Sequence, residues 1–96
     1  MAFVYILRCV DGTLYVGHTD NLASREGTHN AGHGASYTAS RRPVAMVYAE
    51  SHSSMRSAIK REKQLKGWSA EKKGALIAAR FTELKELAKR RRKLAT

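Results

Sequence analysis

The hydrophobic positions at the start of the chain form two short runs that predict paired β-strands. Residues 3–10 and 13–18 are rich in aromatic and β-branched side chains, and Asp11-Gly12 separates them. Such runs around an Asp-Gly step are typical of a β-hairpin. A two-residue turn would place Tyr5 and Tyr15 on opposite faces of the hairpin. A three-residue loop with the glycine in a left-handed conformation would place them on one face, and the sequence leaves both loops open.

Weaker patterns follow the hairpin. Residues 21–30 predict a short helix of low propensity, with Thr19 or Asp20 as its capping residue. The small and polar residues 31–40 predict a loop. The apolar residues 44–49 predict a third strand.

Periodic apolar positions predict two longer helices in the second half of the chain. The first begins at a cap among residues 51–54 and ends near Gly67, since glycine suits the residue that follows a helix. The second begins after the capping residue Ser69 and continues toward the end of the sequence. We therefore expect one domain over residues 1–79 and a basic helical extension over residues 80–96.

The positive charge is unevenly distributed along the chain. The net charge is +10, yet residues 1–40 carry two basic against three acidic side chains, a net of −1. Residues 41–68 carry seven basic against two acidic side chains, and residues 80–96 carry the same numbers, so each segment has a net of +5. This asymmetry predicts a polyanionic partner such as nucleic acid, with a basic surface kept for solubility as the alternative. The basic run over 89–93 reads equally as a phosphate-seeking arm or a solvated terminus.

The cysteine content and the apolar segments bear on the compartment. A single cysteine, Cys9, excludes a disulfide within the chain and favours a reducing compartment. The apolar N-terminal run is interrupted by Arg8 and has no basic segment before it, so it reads as a strand rather than a signal peptide. No apolar run approaches the roughly 20 residues that a membrane span needs. We expect a cytoplasmic protein with no membrane partner.

Candidate phosphate-handling groups lie within residues 14–30. The strand that carries Tyr15 ends at Gly17, and Arg25 and His29 follow at a spacing of four. On a helix this spacing places the guanidinium and the imidazole on one face. A phenol, a glycine that lets a ligand approach the backbone, an arginine and a histidine are groups that suit the binding and hydrolysis of a phosphate ester.

A carboxylate lies on the apolar face of the helix that ends near Gly67. Glu62 shares that face with four apolar residues: Met55, Ala58, Ile59 and Leu65. An inward-facing carboxylate needs a partner, which here is a metal ion or a buried salt bridge, for example with Arg25. We favour the metal. The remaining histidines show no shared spacing, so no zinc site is predicted from them: His18, His33 and His52.

Taken in order, these patterns resemble the GIY-YIG nuclease superfamily, in particular its small stand-alone bacterial members. Phe3-Val4-Tyr5 stands where the family has Gly-Ile-Tyr, and Tyr15-Val16-Gly17 stands where it has Tyr-Ile-Gly. The Arg25/His29 pair and the segments HNAGHGASYT, RRPV-x-x-VY-x-E and AIKREKQLKGW fit the same branch. The resemblance covers roughly residues 3–77. It departs from the family at Phe3, which replaces a glycine, and in lacking the asparagine that many members carry after the glutamate.

The resemblance implies an α+β fold in which helices flank a three-stranded antiparallel sheet. It also implies hydrolysis of DNA phosphodiester bonds with Mg²⁺ or Mn²⁺ as cofactor. By motif position it assigns catalytic roles to five residues, with the glutamate as metal ligand: Tyr5, Tyr15, Arg25, His29 and Glu62. The arginine would grip the phosphate, either tyrosine would act as general base, and the histidine would move the proton or orient the phenol. We expect basic side chains of the second half to bind DNA: Arg41, Arg42, Lys60, Lys63 and Lys66.

The expected activity is therefore that of a metal-dependent DNA endonuclease directed by structure rather than by sequence. Branched, nicked and single-stranded DNA all stay open as substrates. One alternative is a non-catalytic nucleic-acid-binding module on the same scaffold. Another is a protein-interaction domain whose C-terminal helix forms a homodimer.

Overall fold

A three-stranded antiparallel sheet forms the centre of the computed structural model. The strands are β1 (Ala2–Arg8), β2 (Leu14–Thr19) and β3 (Ala45–His52), and their order in the sheet is β2-β1-β3. The structure describes residues 1–94, and among residues 83–94 it describes the side chains of Lys85, Glu86 and Lys89 alone. Most side chains of the basic run over 89–93 thus lie outside the described part. The expected α+β class and sheet are confirmed.

Within residues 1–94, four helices accompany the sheet: α1 (Leu22–Asn30), α2 (Ser36–Ala39), α3 (Met55–Lys66) and α4 (Ala70–Leu94). The short helix α2 lies within the segment that the sequence predicted as a loop. Ser54 caps α3 as expected, but Gly67 has a φ of −79°, so this helix does not end in a left-handed residue. None of the helices that the structure describes is long and apolar enough to cross a membrane.

The β1–β2 loop contains three residues. The backbone N–H of Cys9 donates to the carbonyl of Thr13 at 2.8 Å, and Gly12 has a φ of 85°. In the resulting register, odd-numbered residues of β1 lie opposite odd-numbered residues of β2, so Tyr5 and Tyr15 share one face. The three-residue alternative is confirmed, and both phenols point to the same side of the sheet.

A β-bulge at Val47 places Met46 and Tyr48, which strict alternation would put on one face, on opposite faces of the sheet. Ile6 pairs with Tyr48, whereas the next residue, Leu7, pairs with Met46. Tyr48 therefore packs beneath α3 and α4, and Met46 packs on the opposite face beside α1. The buried residues beneath α3 and α4 are Ala2, Val4, Ile6, Val16, Tyr48, Ala58 and Leu65, and those on the α1 face are Tyr5, Leu7, Cys9 and Val44.

A polar cluster around Glu50 joins β3 to α3. Its carboxylate accepts hydrogen bonds from Tyr48 Oη at 2.6 Å, from His52 Nε2 at 2.5 Å and from Arg61 Nε at 3.1–3.2 Å. Burial alone would raise the pKa of Glu50, but the hydrogen bonds from Tyr48 and His52 and the charge of Arg61 hold that pKa below its ordinary value. The cluster is thus a satisfied ionic contact that fixes α3 against the sheet.

Replacing this carboxylate should weaken the fold. We expect Glu50→Gln to lower the free energy of unfolding, measured by urea denaturation, by about 1–3 kcal/mol, because Arg61 loses its charged partner. The matched control is Glu71→Gln in the exposed first turn of α4, where the loss should stay below about 1 kcal/mol. Equal losses in the two variants would contradict a structural role for the Glu50 cluster.

Candidate active site

A cleft of about 430 Å³ opens at the β2 edge of the sheet. The five residues that the motif positions implied as catalytic all line it: Tyr5, Tyr15, Arg25, His29 and Glu62. They come from four different elements, β1, β2, α1 and α3. The fold therefore brings side chains that are far apart in the sequence into one solvent-accessible space.

A buried chain of hydrogen bonds connects Tyr5 to α2. Thr38 Oγ1 donates to the carbonyl of Ala35 at 3.0 Å, so it is left to accept from Nδ1 of His29 at 2.7 Å. With the proton on Nδ1, the Nε2 atom of the neutral His29 ring accepts from Tyr5 Oη at 2.9 Å. The network thus selects one tautomer and makes His29 the acceptor for the Tyr5 proton.

Burial governs the protonation of this pair. It raises the pKa of Tyr5 to about 12, and the nearby Tyr15 adds to the effect. Burial also lowers the pKa of His29, and the positive charge of Arg25 acts in the same direction. Both groups are therefore neutral at neutral pH, and a proton leaves the phenol only when something in the cleft favours the phenolate.

Two glycines make room for these rings. A Cβ atom at Gly17 would overlap the hydroxyl end of Tyr5, and one at Gly34 would overlap the imidazole of His29. The sequence predicted that Gly17 lets a ligand approach the backbone. In the structure the Tyr5 ring occupies that space instead, so the glycine acts by seating a side chain of the site.

Thr19 positions Arg25. Its Oγ1 accepts from Nε and Nη2 of Arg25 at 3.2 and 3.0 Å, and it also accepts from the backbone N–H of Asn21. The expected cap at Thr19 or Asp20 is wrong, because the capping position of α1 is Asn21, which makes no side-chain capping bond. The Thr19 hydroxyl instead holds the guanidinium against the wall of the cleft.

Glu62 faces the cleft, and its side chain is 13 % exposed. Oε1 accepts from His18 Nδ1 at 2.8 Å, and Oε2 lies 3.2 Å from Lys66 Nζ. The suggested salt bridge with Arg25 is not formed, since Arg25 binds Thr19. Both oxygens of the carboxylate therefore have cationic or hydrogen-bonding partners from β2 and from the next turn of α3.

Sequence reasoning overlooked His18 as a site residue because it compared this histidine only with the other histidines. The signal that was available is its place two residues after the buried Val16 on β2. Alternate residues of a strand share a face, so His18 had to face α3, where Glu62 was already expected to point inward. Thr38 left no comparable signal, because it lies in a segment without periodicity.

The donor set near Glu62 fits a cation held through one carboxylate. Within the described part of the chain, no three His, Cys, Asp or Glu side chains group closely enough to enclose a metal ion. Mg²⁺ commonly binds through one or two carboxylates, with waters and substrate phosphates as its other ligands. Glu62 meets that description, because its partly exposed carboxylate lines the same cleft as Arg25.

Of the five basic residues expected to bind DNA, Lys66 alone is placed among the residues that line the cleft. Lys60 and Lys63 are exposed on α3 outside it. Arg41 and Arg42 follow α2, and their guanidinium groups bond to neighbouring loop and helix atoms. The structure thus places one of these side chains next to Glu62 and the other four outside the cleft.

Comparison with known proteins agrees with this geometry. The family model described as the GIY-YIG catalytic domain matches residues 1–74. The chain belongs to the GIY-YIG family. GIY-YIG proteins include nucleases that act on DNA.

The relatives of this GIY-YIG chain are small proteins named UPF0213. One from Staphylococcus haemolyticus is 47% identical over 78 residues, covering 81% of this chain and 95% of the relative. One from Bacillus pumilus is 44% identical over 75 residues, covering 78% of this chain and 76% of the relative. The solution NMR structure of a UPF0213 protein from Bacillus halodurans matches with a TM-score of 0.53 and 36% identity, covering 82% of this chain and 85% of that one.

The seat of Tyr5 can be tested with two glycine substitutions. Gly17→Ala should lower the free energy of unfolding by about 1–3 kcal/mol, because the new methyl group displaces the Tyr5 ring. Gly27→Ala is the matched control: nothing lies near its Cβ position, and alanine favours the helix, so stability should rise by up to about 1 kcal/mol. Urea denaturation measures the free energy of unfolding of each variant. An unchanged value for Gly17→Ala would contradict the packing of Tyr5 against Gly17.

The lowered pKa of His29 predicts a specific dependence of stability on pH. The unfolded residue takes up a proton near its ordinary pKa of about 6.5, whereas the folded residue resists protonation. The unfolded state thus binds more protons, and the free energy of unfolding should fall as the pH drops below about 6.5. In the His29→Gln variant the free energy of unfolding, measured by urea denaturation, should fall less steeply between about pH 7.5 and pH 5. The wild type and the variant share the other three histidines. Equal slopes of the unfolding free energy against pH in the two proteins would therefore contradict a lowered pKa of His29.

Proposed function

We propose that this protein is a divalent-metal-dependent DNA endonuclease that hydrolyses phosphodiester bonds and is directed by DNA structure rather than sequence. The observation that carries the proposal is the Tyr5–His29 hydrogen bond of 2.9 Å in the same cleft as Arg25 and Glu62. Hydrolysis requires deprotonation of the attacking water and neutralisation of the charge that develops on the phosphorane. The cleft contains a candidate group for each requirement.

Tyr5 is the proposed general base, acting together with His29. The phenol oxygen takes a proton from the attacking water while its own proton passes to His29 Nε2. A phenol with a pKa of about 12 does not ionise alone at neutral pH, so the transfer depends on that acceptor. Burial and the charge of Arg25 disfavour protonated His29, so its proton returns to the phenol oxygen as the phenol gives up a proton to the leaving oxygen of the DNA, and the pair is reset.

Arg25 and Tyr15 are the proposed phosphate ligands. Arg25 is held by Thr19 with further N–H groups available, and a guanidinium can contact two phosphate oxygens at once. Tyr15 is half-buried in the cleft, and its hydroxyl makes no hydrogen bond with any side chain that the structure describes. It can therefore donate to a phosphate oxygen without breaking an existing contact.

Glu62 is the proposed ligand of Mg²⁺ or Mn²⁺. When bound, such an ion supplies Lewis-acid neutralisation of the charge on the phosphate. His18 and Lys66 hold the Glu62 carboxylate in place, and the ammonium group of Lys66 balances its charge. Lys66 also lies 5.9 Å from the centre of the Tyr15 ring, so its ammonium group is close to the proposed phosphate position.

The basic surface around the cleft is proposed to bind the DNA backbone through Arg41, Arg42, Lys60, Lys63 and Lys66. The net charge of +5 on residues 80–96 suits further phosphate contacts, and we propose this segment as an extension of the nuclease domain over 1–79.

A homodimer through α4 is a separate proposal. Phe81 on this helix is 61% exposed, and light scattering without nucleic acid would show whether two copies of the chain associate.

A non-catalytic nucleic-acid-binding module on the same scaffold is the alternative. The observation that favours it is the pairing of both Glu62 oxygens, since a cation has to compete with His18 and Lys66 for them. The two functions differ in their response to chelators. Cleavage stops in EDTA, whereas salt-dependent binding to phosphates persists there.

The deciding experiment incubates labelled duplex, nicked, branched and single-stranded DNA with the protein, with Mg²⁺ or Mn²⁺ and with EDTA. Glu62→Gln keeps the size and polarity of the side chain but removes the charge that holds the cation. We expect it to lower cleavage by a factor of roughly 10² or more and to leave DNA binding intact. Glu71→Gln, the same change on exposed α4, should cleave like the wild type.

Two results would overturn this proposal. One is wild-type cleavage by a correctly folded Glu62→Gln variant. The other is the absence of metal-dependent cleavage on every DNA form, with binding unaffected by EDTA, which would establish the binding module instead. Thermal melting of the same preparations shows whether a loss of cleavage comes from unfolding.

A further inference from the structure

Among the residues that the structure describes, two hold the Glu62 carboxylate, and they differ in how easily they can leave it. His18 belongs to strand β2, and its Nδ1 donates to Oε1 at 2.8 Å. Lys66 lies one turn further along α3, with Nζ 3.2 Å from Oε2 and a side chain that is 51% exposed. An ammonium group on a flexible, solvated stem exchanges its partner at lower cost than a ring whose backbone is fixed in a sheet. Lys66 is therefore the partner that a competing cation would displace.

The stability of α3 does not account for the contact between Lys66 and Glu62. This helix already has a side-chain cap from Ser54 and an ionic contact with the sheet through Arg61 and Glu50. A glutamate–lysine pair one turn apart adds little to a helix when the lysine is this exposed. We therefore looked for a role of the ammonium group within the cleft that both residues line.

The ammonium group of Lys66 is close to two proposed ligands at once. Besides its contact with Glu62, its Nζ lies 5.9 Å from the centre of the Tyr15 ring in the same cleft. A lysine carries a compact charge with three hydrogen-bond donors, which suits a phosphate oxygen as well as a carboxylate. Its flexible stem lets the ammonium group turn from one to the other without any movement of the helix backbone.

An ammonium group and a divalent cation oppose each other when both contact one carboxylate. Two like charges at contact distance repel strongly near a protein surface, where the effective dielectric constant is well below that of water, and the divalent charge doubles the effect. The carboxylate of Glu62 is thus shared poorly between the two. They are alternative partners of Glu62 rather than simultaneous ones.

We propose that Lys66 exchanges partners as the cleft fills. It occupies Glu62 until a divalent cation takes its place, and the released ammonium group then binds the DNA phosphate beside Tyr15. This exchange rests on the proposed metal site at Glu62 and adds to it a coupling between cation and DNA. Because such coupling is reciprocal, DNA that draws Lys66 away raises the affinity for the cation by the same factor. The cleft therefore binds the cation weakly alone and more tightly together with its substrate.

The first test measures the Mn²⁺ affinity of the full-length protein without DNA, from the loss of the EPR signal of free Mn²⁺. We expect Lys66→Met to tighten Mn²⁺ binding by at least about fivefold, because the competing charge is gone. Lys66→Arg keeps the charge and should bind Mn²⁺ no more tightly than the wild type. The control Lys72→Met removes the same charge from an exposed position on α4 outside the cleft. Its Mn²⁺ affinity should stay within about twofold of the wild type.

The second test measures the affinity for a labelled DNA duplex by fluorescence anisotropy, in EDTA and in Ca²⁺, which also binds carboxylate oxygens. Gel electrophoresis of the same samples checks that the duplex is intact. In the wild type the cation should tighten DNA binding. In Lys66→Met this gain should be at least about threefold smaller, since no ammonium group is released to the phosphate.

Unchanged Mn²⁺ affinity in Lys66→Met would overturn the exchange, whatever the substitution does to stability in urea. Mn²⁺ binding that appears only in Lys66→Met would support it. An equal gain of DNA affinity in the wild type and in Lys66→Met would overturn the transfer of the ammonium group to the phosphate.

Glu62→Gln separates a failure of the exchange from a failure of the proposed metal site. If this variant binds Mn²⁺ as tightly as the wild type, Glu62 does not hold the ion, and the metal site and the exchange both fail. If Glu62→Gln loses Mn²⁺ while Lys66→Met binds it like the wild type, the metal site stands and the exchange alone is wrong.

Discussion

The left-handed backbone of Gly12 fixes the register on which the cleft depends. Because the β1–β2 loop has three residues, odd-numbered side chains of both strands share a face, and Tyr5 and Tyr15 converge on α1. The even-numbered side chains of β2 then face α3, which brings His18 to Glu62. A slip of one residue would turn each of these side chains to the other face. The site at the sheet edge thus depends on the conformation of one turn that lies outside the cleft.

The cleft combines a buried neutral part with a partly exposed charged part. Tyr5, His29 and Thr38 form the neutral part, in which each hydrogen-bonding group has a partner and burial keeps protons on the phenol and off Nε2. Glu62 and Lys66 belong to the charged part, nearer to solvent. This separation lets one group of residues handle protons while the other handles the charge of the substrate.

Much of the fold could be predicted from local sequence patterns, and the features that could not be predicted have physical causes. The strands and α3 have strong periodicity, and the pair Arg25 and His29 needs only helical spacing, so these elements were predictable. The three-residue loop was one of two allowed geometries, because an Asp-Gly step is compatible with both. The contact of Thr38 was not foreseen, because it depends on how α2 packs against α1, whereas the contact of His18 was overlooked although strand alternation directs this residue toward α3. Local propensity carries no information of that kind.

The four-residue helix α2 places two neighbouring side chains in different surroundings. Thr38 points inward and fixes the tautomer of His29, while Tyr37 points outward and stacks on the Tyr15 ring. A single peptide bond separates the two, and so short a helix offers no slack between them. A substitution that shifts α2 would therefore disturb the hydrogen bond of His29 and the ring beside Tyr15 together.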